Sequence, residues 1–264
     1  MDLKIKNKTA LVTGSTAGIG FAIASLLAQE GARVVINGRT SERVEVALAR
    51  IRKQSPGADL IGAAADVGKP EGVERLIKQV SEVDILINNA GIFEPKPFAD
   101  IPDSDWLRFF EVNVMSGVRL SRFYLPRMIT KNWGRIVFIS SESAINVPKE
   151  MIHYGLTKTA QLALARGLAE TTAGTGVTVN SVLPGPTRSE GAEGFIESLA
   201  KAKNIDSAAV EREFFQTTRP SSLLKRFATT DEVAAMVVYV SSALASATNG
   251  AALRVDGGVV RSIA

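Results

Sequence analysis

Two side chains that can exchange protons, those of Tyr154 and Lys158, lie four residues apart in a segment of helical apolar spacing. Residues four apart share one face of a helix, so the phenol and the ammonium are expected to point into the same space. A nearby ammonium favours the phenolate and lowers the tyrosine pKa from about 10 towards the pH at which a proton can be exchanged. The pair predicts an acid–base site, although a bare Tyr-x-x-x-Lys pattern also fits an ordinary exposed helical pair.

Ser141 supplies a hydroxyl that could complete this group. It lies thirteen residues before Tyr154, in the turn after the apolar run 135–139. From that turn its hydroxyl could hydrogen-bond the oxygen of the reacting group. The sequence therefore predicts three polar groups around one reacting centre.

The elements that would position these groups alternate between short apolar runs and longer segments of helical period. The runs are apolar throughout rather than at every second residue, which indicates strands covered on both faces. This alternation predicts one doubly wound, Rossmann-like parallel sheet of seven strands in three α/β/α layers. The predicted strands are 9–12, 33–36, 59–61, 84–87, 135–139, 177–179 and 252–255, and the predicted helices are 18–30, 41–54, 70–81, 103–131, 152–173 and 230–243.

The chain is predicted to form one domain over residues 1–264, because no segment has the composition of a linker. Residues 186–228 break the alternation and are rich in helix formers and large apolar side chains, such as Phe214 and Phe215. Ligands bind beyond the carboxyl ends of the strands in such sheets, where this insertion emerges. It is predicted to be either a mobile lid over the site or a helical pair packed on the core.

Bulk composition argues against several classes of function. Only 6% of the 264 residues are aromatic and the net charge is +4 with Lys and Arg scattered, so a nucleic-acid partner is not expected. The absence of cysteine and the single histidine argue against disulfides, a metal site and a Ser-His-Asp hydrolase. The charged start of the chain and the lack of a long apolar run predict a soluble, cytoplasmic protein without a membrane partner.

A glycine-rich turn, Thr13-Gly14-Ser15-Thr16-Ala17-Gly18-Ile19-Gly20, leads from the first predicted strand into the first helix. Glycines let the backbone approach a pyrophosphate, which then rests on unpaired N–H groups at the positive end of the helix dipole. Such a turn is a weak signal alone, but its place between the first strand and the first helix predicts a dinucleotide site. The predicted contacts are Gly14, Ser15, Thr16, Gly18, Ile19 and Gly20.

The end of the second predicted strand, Asn37-Gly38-Arg39-Thr40, indicates which dinucleotide binds. A site for NAD has a carboxylate there to accept from the ribose 2′-hydroxyl, and this segment has none. Arg39 instead offers a planar, permanently charged fork that suits a 2′-phosphate. NADP(H) is therefore the expected cofactor, with NAD(H) as the alternative.

The cradle, the Tyr154/Lys158 pair and their separation together resemble the single-domain short-chain dehydrogenase/reductase family, over about residues 6 to 258. Further segments are similar to that family's adenine-contacting pair, strand-four motif, nicotinamide loop and C-terminal signature. They are Asp66-Val67, Asn88-Asn89-Ala90-Gly91, Pro184-Gly185-Pro186-Thr187 and Val255-Asp256-Gly257-Gly258. The resemblance implies cofactor contacts from Asp66, Val67, Asn89, Ala90, Gly91, Tyr154, Lys158, Pro184, Gly185 and Thr187.

The resemblance also implies a catalytic tetrad of Asn113, Ser141, Tyr154 and Lys158. Hydride would pass between the nicotinamide and the substrate carbon, while Tyr154 exchanges the proton and Ser141 holds the oxygen. Lys158 would bind the nicotinamide ribose and lower the pKa of Tyr154. Asn113 would interrupt a long helix and anchor a water chain that resupplies the proton.

Spacing decides between neighbouring candidates for these roles. Ser140 and Ser143 compete with Ser141, and the thirteen-residue offset from Tyr154 favours Ser141. His153 adjoins Tyr154, but adjacent residues of a helix project about 100° apart, so a packing or solvent role is predicted for it.

The predicted function is that of an NADP(H)-dependent alcohol dehydrogenase or carbonyl reductase. Aromatic and aliphatic side chains in 93–95, 144–151 and the insertion predict an uncharged alcohol or ketone substrate. Two alternatives stay open: a catalytically idle NADP(H)-binding regulator, and a sugar-nucleotide epimerase or dehydratase. The apolar faces of the predicted helices 152–173 and 230–243 resemble those through which the family forms tetramers, so a homo-oligomer, either tetramer or dimer, is expected.

Overall fold

We determined the fold from a computed structural model. It describes residues 1–263, apart from the side chains of Phe195, Leu199 and Ala202. Its strands are β1 (Thr9–Val12), β2 (Arg33–Gly38), β3 (Leu60–Ala64), β4 (Ile85–Asn88), β5 (Gly134–Ile139), β6 (Val177–Pro184), β7 (Thr187–Arg188), β8 (Ala228–Thr229) and β9 (Ala252–Val255). Seven of them form one parallel sheet in the order β3-β2-β1-β4-β5-β6-β9. This order confirms the predicted doubly wound architecture.

The order of the strands reverses between β1 and β4. Ala10 of β1 pairs with Val34 of β2 on one side and with Ile85 of β4 on the other. Because the strands of this sheet are parallel, their carboxyl ends lie along one edge. The crevice outside that edge, at the reversal, is where ligands bind in sheets of this kind.

Helices cover both faces of the sheet. They are α1 (Gly18–Gln29), α2 (Ser41–Gln54), α3 (Pro70–Gln79), α4 (Asp103–Phe110), α5 (Ser116–Thr130), α6 (Ile152–Glu170), α7 (Glu190–Lys203), α8 (Ser207–Glu213) and α9 (Thr230–Val240). Successive residues of β1 point to opposite faces. Val12 joins an apolar cluster with α1, α2 and α9, whereas Leu11 joins one with α3, α5 and α6. Between residues 1 and 263, no helix is long and apolar enough to cross a membrane.

The predicted helix 103–131 is divided in the structure. A single π-helical turn, Glu111–Met115, separates α4 from α5. Asn113 lies in this turn and is buried, which agrees with its expected place at an interruption of a long helix. Turns of this kind widen a helix locally and are frequent at functional sites.

β6 extends beyond its predicted end. The predicted strand ended at Val179, before the polar residues Asn180 and Ser181, but the strand continues to Pro184. Asn180 is fully buried, and its side chain donates to the carbonyl of Thr248 (2.8 Å) and accepts from the N–H of Ala251 (3.0 Å). Backbone partners satisfy this amide inside the protein, so a polar residue is tolerated in a central strand.

The insertion 186–228 contains the helical pair α7 and α8. At its base Thr187 pairs with Ala228, which brings the two ends of the insertion together. Five side chains form an apolar cluster of their own, namely Ile196, Ala200, Val210, Phe215 and Phe227. The insertion is thus a helical pair, but one that packs on its own small core rather than on that of the sheet.

Candidate active site

The glycine-rich turn forms a concave cradle between β1 and α1. Gly18 has a φ of +56°, and a Cβ atom on Gly20 would lie 2.4 Å from Nδ2 of Asn89 and 2.6 Å from the carbonyl oxygen of Gly14. Asn89 Nδ2 donates to the carbonyls of Thr13 (2.8 Å) and Gly14 (3.2 Å), which ties the cradle to the end of β4. Within the described part of the chain, no side chain caps α1 and no acidic residue lies in its first turn. The positive end of this helix therefore fits the pyrophosphate of a dinucleotide.

Ser15, a predicted cofactor contact, has its side chain beneath the cradle. It is fully buried, its hydroxyl donates to the carbonyl of Val12 (2.8 Å), and it accepts from the N–H of Asn37 (3.0 Å). Ser15 therefore supports the cradle from beneath by joining the first two strands. Thr16 and Ile19 are half-buried beside it.

Arg39 follows β2 and is exposed to solvent. In the region that the structure describes, no carboxylate forms an ion pair with it. Asn37 fixes the end of β2, because its Nδ2 donates to the carbonyls of Ala63 (3.0 Å) and Ala65 (3.1 Å). The guanidinium of Arg39 is therefore available to an anion at the edge where the adenosine half of a dinucleotide is expected.

The remaining predicted cofactor residues lie along the same edge of the sheet. Asp66 is half-buried and accepts from the N–H of Gly68 (3.1 Å), and Val67 is buried. The N–H of Ala90 donates to Thr13 Oγ1 (2.9 Å), as does that of Asn89 (2.9 Å).

The loop after β6 is held by the C-terminal signature. Gly185 donates through its N–H to the carbonyl of Val255 (3.0 Å), and a Cβ there would lie 2.5 Å from the carbonyl oxygen of Asp256. Thr187 is nearly buried and its hydroxyl donates to the carbonyl of Gly185 (2.9 Å). The loop follows the carboxyl end of β6 and therefore lies at the edge of the sheet where ligands bind.

The three side chains predicted from spacing to surround one centre lie close together in the structure. Tyr154 and Lys158 lie on α6, with the lysine Nζ 5.6 Å from the centre of the tyrosine ring. Ser141 ends the loop after β5, where its Oγ accepts from the N–H of Ser143 (3.1 Å), and it is near enough to Tyr154 to lower the pKa of the phenol. A phenol, a hydroxyl and an ammonium therefore converge beside the crevice.

Asn113 anchors the loop that follows β4. Its Oδ1 accepts from the N–H of Ile92 (2.8 Å), and its Nδ2 donates to the Ile92 carbonyl (3.0 Å) and to Thr157 Oγ1 (3.0 Å). Gly91 lies between the two halves of the site, since a Cβ there would be 3.3 Å from Asn113 Oδ1 and 3.5 Å from Lys158 Nζ. The Asn113 side chain is thus committed to hydrogen bonds within the protein.

Burial shifts the pKa values of Tyr154 and Lys158. It raises the pKa of Tyr154 to about 12, although the hydrogen bond from Ser141 acts in the opposite direction. Burial also lowers the pKa of Lys158 from 10.5 to about 7. The predicted lowering of the tyrosine pKa by Lys158 is therefore not achieved by the protein groups alone, because desolvation disfavours the charged form of each residue.

The mouth of the site combines an aromatic wall with buried charge. Phe93 packs edge-on against Tyr154 with ring centres 6.4 Å apart, and a Cβ on Gly191 of α7 would lie 4.0 Å from the Phe93 ring. Glu142, directly after Ser141, is buried and accepts from Nε of Arg219 in the insertion (3.0 Å). Sequence reasoning predicted few charges here and missed this pair, because 77 residues separate its members and no spacing rule connects them.

His153 has a packing role, as predicted. It is fully buried, with its ring 4.1 Å from that of Phe109 and 5.8 Å from that of Trp106. Burial lowers the pKa of this imidazole, so the neutral form fills the space between α4 and α6.

Comparison with known proteins relates this geometry to one family. A family model described as short chain dehydrogenase matches residues 8–199. An uncharacterized oxidoreductase, YvaG, of Bacillus subtilis (strain 168) is 52% identical over 263 residues, with 100% of both chains covered. A D-beta-hydroxybutyrate dehydrogenase of Cupriavidus necator is 33% identical over 260 residues, which cover 97% of this chain and 99% of the relative.

The chain is also similar to a solved structure that contains bound ligands. It is that of L-sorbose reductase from Gluconobacter frateurii complexed with NADPH and L-sorbose. The two chains superpose with a TM-score of 0.94 at 30% identity, and 100% of each is covered.

Proposed function

Since the chain belongs to the short-chain dehydrogenase family of oxidoreductases, we propose that it transfers a hydride between NADP(H) and a carbonyl or secondary alcohol. Tyr154 is the proton donor and acceptor of this reaction. The observation that supports it most is the convergence of Ser141, Tyr154 and Lys158 beside the crevice. The cradle at the start of α1 fits the pyrophosphate, and the bound nicotinamide would supply the redox chemistry.

Each residue of the site has a distinct task in this proposal. Ser141 donates a hydrogen bond to the substrate oxygen, and that bond strengthens as negative charge develops there. Tyr154 delivers a proton to the same oxygen during reduction. Lys158 binds the ribose hydroxyls and stabilises the phenolate that remains. Asn113 holds the loop at Ile92, which borders the site.

Carbonyl reduction is the favoured direction. A phenol whose pKa is about 12 keeps its proton at neutral pH and is therefore ready to donate it. An NADP(H) preference supports the same direction. Oxidation of an alcohol would need the phenolate, which a charged Lys158 must first stabilise.

The cofactor preference rests on Arg39. Replacing Arg39 by alanine is expected to raise the KM for NADPH by roughly 10- to 100-fold, because a charge-assisted hydrogen bond contributes about 1.5 to 3 kcal/mol. The KM for NADH should change little, since NADH has no 2′-phosphate. Steady-state kinetics with both cofactors measures the difference.

Arg43 provides a matched control for that variant, because it is also an exposed arginine and lies in the first turn of α2, four residues after Arg39. Arg43→Ala should leave both KM values near those of the wild type. An equal response of NADPH and NADH to Arg39→Ala would show that Arg39 makes no 2′-phosphate contact.

The proposed substrate class is an uncharged alcohol or ketone. The aromatic wall at Phe93 supports an apolar contact, and the related L-sorbose reductase was solved with a neutral hydroxyketone. A panel of ketones and alcohols, followed at the nicotinamide absorbance with each cofactor, tests the activity. NADPH binding without turnover of any member would favour a regulator, and conversion of a sugar nucleotide without net change in absorbance would favour an epimerase.

A homo-oligomer is part of the proposal. Leu107 of α4, Leu156 of α6 and Tyr239 of α9 are apolar or aromatic and are 71%, 48% and 42% exposed. Contiguous exposed apolar side chains mark surfaces that another chain covers, so the proposal requires these three side chains to lie in or beside subunit contacts. Light scattering is expected to give the mass of a dimer or tetramer of the 28.1 kDa chain, and a monomer mass would contradict this assignment.

A further inference from the structure

Gln161 connects two members of the predicted tetrad through its side chain. It lies on α6 one turn after Lys158 and is 1% exposed. Its Nε2 donates to the backbone carbonyl of Asn113 (2.5 Å), and its Oε1 accepts from Lys158 Nζ (3.3 Å). The amide thus bridges α6 and the π-helical turn at Asn113.

Only one orientation of this amide satisfies both neighbours. An ammonium can only donate hydrogen bonds, and a carbonyl can only accept them. The Oε1 of Gln161 must therefore face Lys158 and its Nε2 must face Asn113. A side chain without both functions, such as leucine or methionine, would leave buried polar groups without this partner.

Lys158 depends on few acceptors. In the portion of the chain that is described, its Nζ donates to the carbonyl of Ile139 (2.8 Å) and to Gln161 (3.3 Å). Tyr154 is the titratable group that faces it from the same helix, and Glu142 is the carboxylate whose charge reaches Tyr154. Gln161 is one of these two acceptors. Its loss should matter, because hydrogen bonds to the charged form of a buried lysine offset the cost of desolvation.

We propose that Gln161 is a positioning residue of the active site, which fixes the Lys158 ammonium by bridging it to the backbone carbonyl of Asn113. This inference rests on the proposed function for its kinetic consequence and for the contact of Lys158 with the cofactor ribose. An amide is neither an acid nor a base near neutral pH, so Gln161 holds the lysine and does not carry its proton. The bridge also occupies the backbone carbonyl of Asn113, the residue that was expected to anchor a water chain.

Two variants test the bridge through pH profiles. Gln161→Met removes the acceptor, so the basic limb of kcat/KM should move to lower pH, by roughly half a unit to one unit. Gln161→Glu places a carboxylate beside Lys158, so the limb should move to higher pH by about one unit or more. The pH dependence of the NADPH dissociation constant, measured by fluorescence, should move in the same directions, since Lys158 binds the cofactor ribose.

Gln79→Met is the matched control, because the Gln79 amide donates to the carbonyl of Gly62 (2.8 Å) away from this site. It should leave both profiles unchanged. Unshifted limbs in both Gln161 variants would overturn the proposal, and so would a uniform loss of rate without a shift. If one variant does not fold, as judged by thermal unfolding, the other decides.

The pH dependence of the NADPH dissociation constant tests this inference separately from the proposed catalytic activity. Wild-type protein that binds NADPH but turns over no carbonyl would contradict the oxidoreductase activity. The shifts of the binding profile in the Gln161 variants would still decide the bridge.

Discussion

Replacing Tyr154 by phenylalanine is expected to abolish turnover while NADPH binding stays nearly intact. The variant loses only the phenol hydroxyl, and the aromatic ring can keep its packing against Phe93 (ring centres 6.4 Å apart). Proton transfer by a positioned side chain contributes on the order of 10² to 10⁴ in rate, so kcat should fall by at least that factor. Carbonyl reduction at saturating NADPH and fluorescence titration of NADPH measure the two effects.

Tyr239→Phe controls for the loss of a phenol elsewhere. Tyr239 is 42% exposed on α9, outside the site, so its variant should keep wild-type turnover. Substantial activity in Tyr154→Phe, with a normal pH profile, would mean that another group donates the proton.

Replacing Lys158 by methionine is expected to reduce turnover and at the same time to stabilise the fold. Methionine has a similar length but cannot bind the ribose or stabilise the phenolate, so kcat should fall by on the order of 10² or more. Burial lowers the pKa of Lys158 from 10.5 to about 7, and this costs roughly 3 to 5 kcal/mol of stability below pH 7. Loss of the hydrogen bond to Ile139 offsets part of the gain, so the unfolding free energy should rise by roughly 1 to 3 kcal/mol at pH 7.

The sign of the pH dependence follows from the direction of the shift. Between about pH 7 and 10.5 the unfolded chain binds a proton at Lys158 that the folded protein does not. Wild-type stability therefore gains from this group as pH rises through that window. The advantage of Lys158→Met should be largest near pH 7 and should shrink towards pH 10, which urea unfolding of the cofactor-free protein measures.

Lys78→Met is the matched control, since Lys78 is exposed in the last turn of α3. Its stability difference from the wild type should be small and independent of pH. A Lys158→Met variant that is less stable than the wild type at every pH would contradict a desolvated lysine.

The sheet was predictable because its central strands are continuous apolar runs. Both faces of β1, β4 and β5 are buried, so each strand is an apolar run that needs no periodicity to be recognised. The β-α alternation then predicted the doubly wound parallel sheet, whereas the strand order with its reversal between β1 and β4 comes from the structure. The end of β6 was missed because Asn180 satisfies its amide with backbone groups that are distant in sequence.

The candidate site was predictable where its residues are close in sequence. Tyr154 and Lys158 share a helical face at a spacing of four, and the cradle is a continuous segment. Gln161 is three residues from Lys158 on the same helix, so the same rule could have found it. The contact of Arg219 with Glu142 is different, because it depends on how the insertion folds back over the site.

Protonation was the least predictable property. The spacing of Tyr154 and Lys158 predicted a lowered tyrosine pKa, whereas burial raises the pKa of Tyr154 to about 12. Spacing reports which groups are neighbours, but desolvation depends on how completely the rest of the fold covers them.

Transfer of isotope from the cofactor to the product tests the central claim most directly. NADPH deuterated on one face of nicotinamide C4 is mixed with the protein and a ketone that it reduces, and the alcohol is analysed by mass spectrometry and NMR. The proposed hydride transfer predicts one deuterium on the carbinol carbon from only one of the two labelled faces. Alcohol without deuterium from either face would contradict direct hydride transfer at this site.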